Sequence, residues 1–286
     1  MNPMAIKTQN LTKRFGQVQA LQGVSVTLEE NKIYGLLGRN GAGKSTLLNI
    51  LTGRLFADEG AVTIDGENAI ENDRAQGKVF LMSEKTLHPD SMRVRQAFRW
   101  AQTFYPGFDQ GQALSLSGDF GLNTNARISG LSTGYHSIFK LVLALSVNTP
   151  YVLLDEPILG LDANHRELFY KRLLEKYAAN PFTVVLSTHL IEEVASLVED
   201  VIIIKDGQVL RQESRDSLLS QGYTVSGGAA AVDAYIQGRR VLGIDALGGL
   251  RTAYIQGSPD KSAPSAQDLE FGPMDLQKLF IQLTNS

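Results

Sequence analysis

The run Gly38-Arg39-Asn40-Gly41-Ala42-Gly43-Lys44-Ser45-Thr46 carries the densest chemical signal in the chain. It fits G-x-x-x-x-G-K-[ST], a loop that cradles the phosphates of a nucleoside triphosphate. Its glycines let the backbone curl until the N–H groups point inward at an anion. The helix that follows adds the positive end of its dipole. Lys44 is then in reach of the β- and γ-phosphates, and the Ser45 hydroxyl is placed to hold Mg²⁺. The context is the one the pattern needs: Ile33-Tyr34-Gly35-Leu36-Leu37 reads as a buried strand, and Leu47 to Leu51 opens a helix.

A second group of chemical residues lies downstream. Asp155-Glu156 closes the short apolar run Tyr151-Val152-Leu153-Leu154. A carboxylate at a strand end beside a phosphate loop can hold Mg²⁺ through its water shell, the role expected of Asp155. Glu156 is the candidate general base for an attacking water. His189 ends the next apolar strand, where ligands of open α/β sheets bind, and is placed to donate to a γ-phosphate. Paired acids also cap turns, and a lone histidine is often structural. The order strand, loop, carboxylates, strand, histidine favours the chemical reading over both.

The elements that must position these groups follow from the apolar patterning. Strands occupy much of residues 5–66, with alternation in Val24-Ser25-Val26-Thr27-Leu28. Between about Glu84 and Val147 the spacing turns helical, and buried strands return at Tyr151–Leu154 and Thr183–Leu186. A helix is expected over Ala163–Tyr177 and another over Ile191–Val198, with an Asp206-Gly207 hairpin after them. This alternation implies an α/β fold with a mostly parallel sheet. The expected organisation is an ATP-binding core over 1–83 and 148–222, a helical subdomain over 84–147, and a small α/β appendage over 223–286. In the appendage Leu276, Leu279, Phe280 and Leu283 recur at helical spacing, the mark of a buried face.

Composition narrows the class. The 286 residues carry 27 basic and 30 acidic side chains, a net charge of −3, so no nucleic-acid partner is expected. With no cysteine and four scattered histidines, thiol chemistry and a thiolate or histidine metal cluster are excluded. No window approaches the roughly 18 consecutive apolar residues of a membrane span. A soluble protein is expected, working at a membrane only by docking on another subunit.

With these parts in order, residues 4–215 resemble the ATP-binding subunit of an ABC transporter. Leu131-Ser132-Thr133-Gly134-Tyr135 stands where that family has its Leu-Ser-Gly-Gly-Gln signature, and Ile158-Leu159-Gly160-Leu161-Asp162 resembles the loop that crosses to the partner subunit. The run from Phe104 through Phe108-Asp109 to Leu131, together with Glu84, looks most like exporters of the ABC-2 type. The resemblance implies an ATPase that works as a dimer, with two ATP molecules and Mg²⁺ between subunits. It also implies a separate transmembrane permease subunit and a peripheral place on the cytoplasmic face of the cell membrane. On it, Phe15 stacks on adenine, Ser132, Thr133 and Gly134 face the partner's ATP, Asp162 lies in the dimer loop, and Glu84 is a further metal contact. Leu87, Met92 and Phe98 are candidates for the groove that receives a helix of the membrane subunit, with packing in the core as the equal alternative for each.

The sequence departs from the family pattern in three places. Glu84 replaces a usual glutamine, Thr133 a glycine, and Tyr135 a glutamine, with Ser137 and Ile138 where Gln and Arg are common. A phosphate-holding half that looks intact beside an altered signature suits a heterodimer; a homodimer that tolerates Thr133 and Tyr135 is the rival. The alternative function is a soluble ABC-type ATPase of DNA repair or translation.

Overall fold

The computed structural model describes residues 4–85, 88–89 and 91–285. Two compact units emerge, one of residues 1–189 and 204–210, the other of 190–203 and 211–286.

The first unit begins with β1 (Ala5–Phe15), β2 (Val18–Val24), β3 (Thr27–Glu29), β4 (Ile33–Leu37) and α1 (Lys44–Leu51). It continues through β5 (Glu59–Ile64), β6 (Glu67–Asn68), α2 (Asp73–Gln76), β7 (Val79–Met82), α3 (Val94–Phe104), α4 (Gln110–Asp119) and α5 (Thr133–Ser146). Then come β8 (Tyr151–Asp155), α6 (Ala163–Ala179) and β9 (Thr183–Thr188). An antiparallel sheet runs β2-β1-β5-β6, with β3 also on β1. The second sheet has the order β4-β9-β8-β7, all parallel. Residues 204–210, from the end of β10 (Asp200–Lys205) into β11 (Gln208–Ser214), extend it beyond β4.

Strands β4, β8 and β9 are buried at every residue, as expected of parallel strands covered on both faces. The two sheets are joined through Asp65 at the end of β5. Its carboxylate accepts from the Tyr151 hydroxyl at 2.6 Å, from Ala5 N at 3.1 Å and from Lys78 Nζ at 2.8 Å.

Helices α3, α4 and α5 pack on one another around Phe98, Phe108 and Phe139, with ring centroids 6.1–6.3 Å from Phe98. This decides between the groove and the core for two of the residues the sequence left open. Phe98 is fully buried and Met92 nearly so, because Val94, Ala97 and Phe98 form the inward face of α3 at i, i+3, i+4 spacing. Trp100 and Phe104 are the exposed aromatics of that helix. Leu87 lies outside the described residues.

The second unit holds α7 (Ile191–Val194), α8 (Arg215–Ser220), β12 (Gly222–Gly228), α9 (Ala229–Tyr235), β13 (Val241–Leu247), β14 (Leu250–Gln256), β15 (Glu270–Pro273) and α10 (Leu276–Asn285). Its antiparallel sheet runs β13-β14-β12-β15 over a core of Tyr223, Val225, Val232, Tyr235, Ala253 and Ile255. On α10, Leu276, Leu279 and Phe280 are buried, as their spacing requires. The expected helix 191–198 is only the single turn α7.

Candidate nucleotide site

Strand register brings the chemical residues to one edge. Leu37 of β4 lies opposite Thr188 of β9, Ser187 opposite Asp155 of β8, and Leu154 opposite Met82 of β7. The strands are parallel, so the phosphate loop, Asp155-Glu156, His189 and the Ser83-Glu84 segment all leave the sheet at its carboxyl end.

The loop itself needs its glycines. Gly41 and Gly43 have φ of 82° and 107°, a region that side chains disfavour. A Cβ on Gly43 would fall 2.5 Å from the Ala20 carbonyl oxygen, and one on Gly38 would fall 2.7 Å from the Ile204 oxygen. Helix α1 starts at Lys44, and its first backbone bond runs from Leu47 N to Gly43 O. The N–H groups before that bond have no intrahelical acceptor and are available to an anion. Arg39, Asn40 and Ser45 are exposed, Thr46 is half-buried, and Ala42 is buried beneath the turn.

Lys44 is buried, and its Nζ donates to the Gly38 oxygen at 2.7 Å and the Arg39 oxygen at 3.3 Å. Nζ also lies 3.8 Å from Glu156 Oε1. Burial holds the ammonium below its ordinary pKa, against the pull of the Glu156 and Asp155 carboxylates. A cation so desolvated gains more from an arriving phosphate than one in water does.

Each carboxylate is held by β9. Asp155 is buried, and its Oδ1 accepts from Ser187 Oγ at 2.8 Å. Glu156 takes a left-handed backbone, φ 47°, fixed by a bond from its N–H to the Ser187 oxygen at 2.8 Å. Its Oε1 lies 2.9 Å from His189 Nδ1, and its Oε2 accepts from Thr188 Oγ1 at 3.2 Å. Lys44, Asp155, Glu156 and His189 are therefore one connected group, able to bind phosphate and orient a water beside it.

The signature residues form a second cluster. Ser132 caps α5, accepting from Tyr135 N, and Asp162 caps α6, accepting from His165 N at 2.9 Å. The two caps are joined: Ser137 Oγ donates to the Leu159 oxygen at 2.8 Å, and a Cβ on Gly134 would lie 3.0 Å from the Gly160 oxygen. Thr133 packs its methyl against Gly160, and Tyr135 meets the His165 ring edge-on at 6.4 Å. Phe15 ends β1 at a hairpin with its ring half exposed, Lys13 Nζ lying 5.7 Å from the centroid. Glu84 is exposed, and its carbonyl oxygen accepts from Lys140 Nζ at 2.7 Å.

Ser187, Thr188 and Lys140 escape sequence reasoning. The first two act across a strand pairing, and Lys140 reaches the Ser83 and Glu84 carbonyls from α5. The only sequence hint is the polar Ser-Thr pair ending an apolar strand.

Comparisons with known proteins bear on the class of the chain. Residues 21–159 match the family described as ABC transporter. The chain is 25% identical over 282 residues to the ABC transporter ATP-binding protein YtrB of Bacillus subtilis, spanning 96% of this chain and 97% of that one. It is 29% identical over 209 residues to NatA of the same organism, covering 70% of this chain and 84% of NatA. The ribose import ATP-binding protein RbsA of Bacillus licheniformis is 28% identical, and the chain covers 44% of its length. Among solved structures, an ABC transporter cassette in a dimeric post-hydrolysis state with ADP and Pi superposes with TM-score 0.65 at 26% identity, over 73% of this chain and 98% of the cassette. An ATP-binding subunit of an ABC transporter reaches TM-score 0.67 at 22% identity and shows the shared fold. These matches lend no support to the DNA-repair alternative. Residues 21–159 are the matched segment of an ATP-binding domain of the ABC transporter family, and the chain that carries it is an ATPase.

Proposed function

We propose that this chain is the ATP-hydrolysing subunit of an ABC exporter, binding ATP at a dimer interface and driving a separate membrane subunit. The observation that supports it best is the connected group Lys44, Asp155, Glu156 and His189 at the carboxyl edge of the sheet. Lys44 and the loop N–H groups bind the β- and γ-phosphates. Glu156 accepts a proton from the attacking water, held in place by Thr188 and by its left-handed backbone. His189, fixed on Glu156, donates to the γ-phosphate, and Phe15 offers its exposed face to adenine.

The donor set suits Mg²⁺. The Ser45 hydroxyl and the Asp155 carboxylate are hard oxygen ligands, and Glu84 stands at the neighbouring strand end. No cluster of three metal-binding side chains occurs among the described residues, as suits an ion that takes its other ligands from phosphates and water. When bound, the ion neutralises charge that develops on the phosphates.

Ser132, Thr133 and Gly134 at the start of α5 face the partner's ATP on this reading, with Asp162 beside them in the dimer contact. Residues 84–147 serve as the docking subdomain. A cavity of about 410 Å³ between β7 and this subdomain is lined by Phe80, Trp100, Phe104, Tyr105, Lys140 and Leu143, and it suits a helix of the membrane subunit. No described helix is long and apolar enough to cross a membrane. The chain would then sit on the cytoplasmic face. Export is favoured over import by Glu84 and the Phe104–Leu131 run, which resemble the ABC-2 exporter group.

The test is a pull-down from solubilised membranes with the Glu156→Gln chain and ATP. Recovery of a multi-helix membrane protein, lost on Phe104→Asp, is expected. Recovery of ribosomal or DNA-repair proteins alone would overturn the reading.

A further inference from the structure

The second unit contains a cavity of about 410 Å³, bounded by α8, the start of β13, the end of β14 and α10. Among the described residues its wall carries two guanidinium groups, Arg211 and Arg240, and no carboxylate side chain. In a chain of net charge −3, this is a local concentration of positive charge. Three acids elsewhere in the unit are engaged by basic side chains. Asp260 pairs with Arg239 at 3.8 Å, Asp245 with Lys278 at 2.7 Å, and Asp233 with Arg251. Glu213, on the same strand as Arg211, accepts from Ser217 Oγ at 2.8 Å and Gln221 Nε2 at 2.7 Å. The Arg240 guanidinium has no hydrogen-bond or ion-pair partner among the described residues.

The rest of the wall is apolar, with Leu218, Leu242 and Leu279. A register shift between Val241 and Gly243 places Leu242 on a bulge of the edge strand. The Gln282 amide lies directly over the Gly243 backbone, where a Cβ would otherwise stand. Unpaired guanidinium, an amide donor and a leucine wall in one concavity form the usual layout of a small-ligand site, few polar groups on an apolar surface. We propose that this cavity binds a small organic anion with an aliphatic body, its carboxylate or phosphate held by Arg240 and Arg211 and its chain lying on the leucines.

Calorimetric titration of the full chain tests this, with saturating ADP present to fill the phosphate loop. Octanoate and octyl phosphate are the probes for the two headgroups; octanol and acetate each lack one half of the chemistry. Saturable binding of at least one probe at one site per chain is expected, with octanol and acetate at least tenfold weaker. Arg240→Gln should weaken binding about tenfold, the loss of one charged contact. Leu242→Glu, which sets a carboxylate in the wall, should abolish it. An unchanged near-UV circular-dichroism spectrum, to which the buried Tyr223, Tyr235 and Tyr254 of this unit contribute, would show that both variants keep the unit folded. Absence of saturable binding by either probe, equal binding of octanol or acetate, or full affinity in Arg240→Gln would overturn the proposal.

Discussion

Replacing Ser187 by alanine removes a single oxygen from the interior of the first unit, and the structure sets the cost. Ser187 is fully buried and Asp155 is 5% exposed, so water cannot replace the 2.8 Å bond from Oγ to Asp155 Oδ1. A bond to a charged group contributes about 1.5–3 kcal/mol, and here the carboxylate left behind stays desolvated. Unit 1 of the Ser187→Ala chain should therefore be less stable by about that amount. The chain has one tryptophan, Trp100, which lies on α3 of this unit, so urea unfolding followed by its fluorescence reports on the right part. With a urea slope near 3 kcal/mol/M, the midpoint should fall by about 0.5–1 M. Asp155 would also lose its fixed orientation, so the ATPase rate should fall with the stability. A midpoint within about 0.2 M of the parent would refute the claim that Ser187 holds Asp155.

Other consequences are as direct. Gly43→Ala combines a φ of 107° with a Cβ 2.5 Å from the Ala20 oxygen, so strain of about 1–3 kcal/mol and loss of ATP affinity are expected. Calorimetry returning the parent affinity would contradict the loop geometry. Lys176 donates to the Leu145 and Val147 oxygens at 2.7 and 2.6 Å, ending α5, and burial lowers its pKa to about 8. Below pH 8 the folded state carries this buried charge at a cost; between pH 8 and about 10.5 it holds fewer protons than the unfolded chain, so this contribution to stability rises with pH, on the order of 1–3 kcal/mol. Comparing urea midpoints across that window, the gain should vanish in Lys176→Met; equal pH slopes in both chains would contradict it.

The parts of the site that the sequence made legible are local patterns. The phosphate loop is contiguous between a strand and a helix, and Asp155, Glu156 and His189 stand at the ends of apolar runs, so the parallel alternation alone sends them to one edge. What holds them was hidden. Ser187 and Thr188 meet Asp155 and Glu156 only because β9 pairs with β8, and no spacing along the chain reports that. Phe98 and Met92 stayed open between groove and core for a related reason: an apolar residue looks the same in the sequence whether it faces a neighbouring helix or a groove, and only the packing, for Phe98 against Phe139, decides. In the second unit, Gly222–Gly228 and Glu270–Pro273 form adjacent strands despite their glycines and distance in sequence, because each supplies a partner for the other's backbone.

The central claim is that Glu156 activates water at a site where Lys44 and the loop hold ATP. Single-turnover conversion of ATP to ADP, compared between the parent chain and Glu156→Gln with ATP binding measured on the same samples, tests it most directly. The structure predicts that the variant binds ATP as the parent does and loses turnover by about 10²–10⁴-fold, the contribution of a positioned general base. Equal turnover in the two chains would contradict it and remove Glu156 from the role of base.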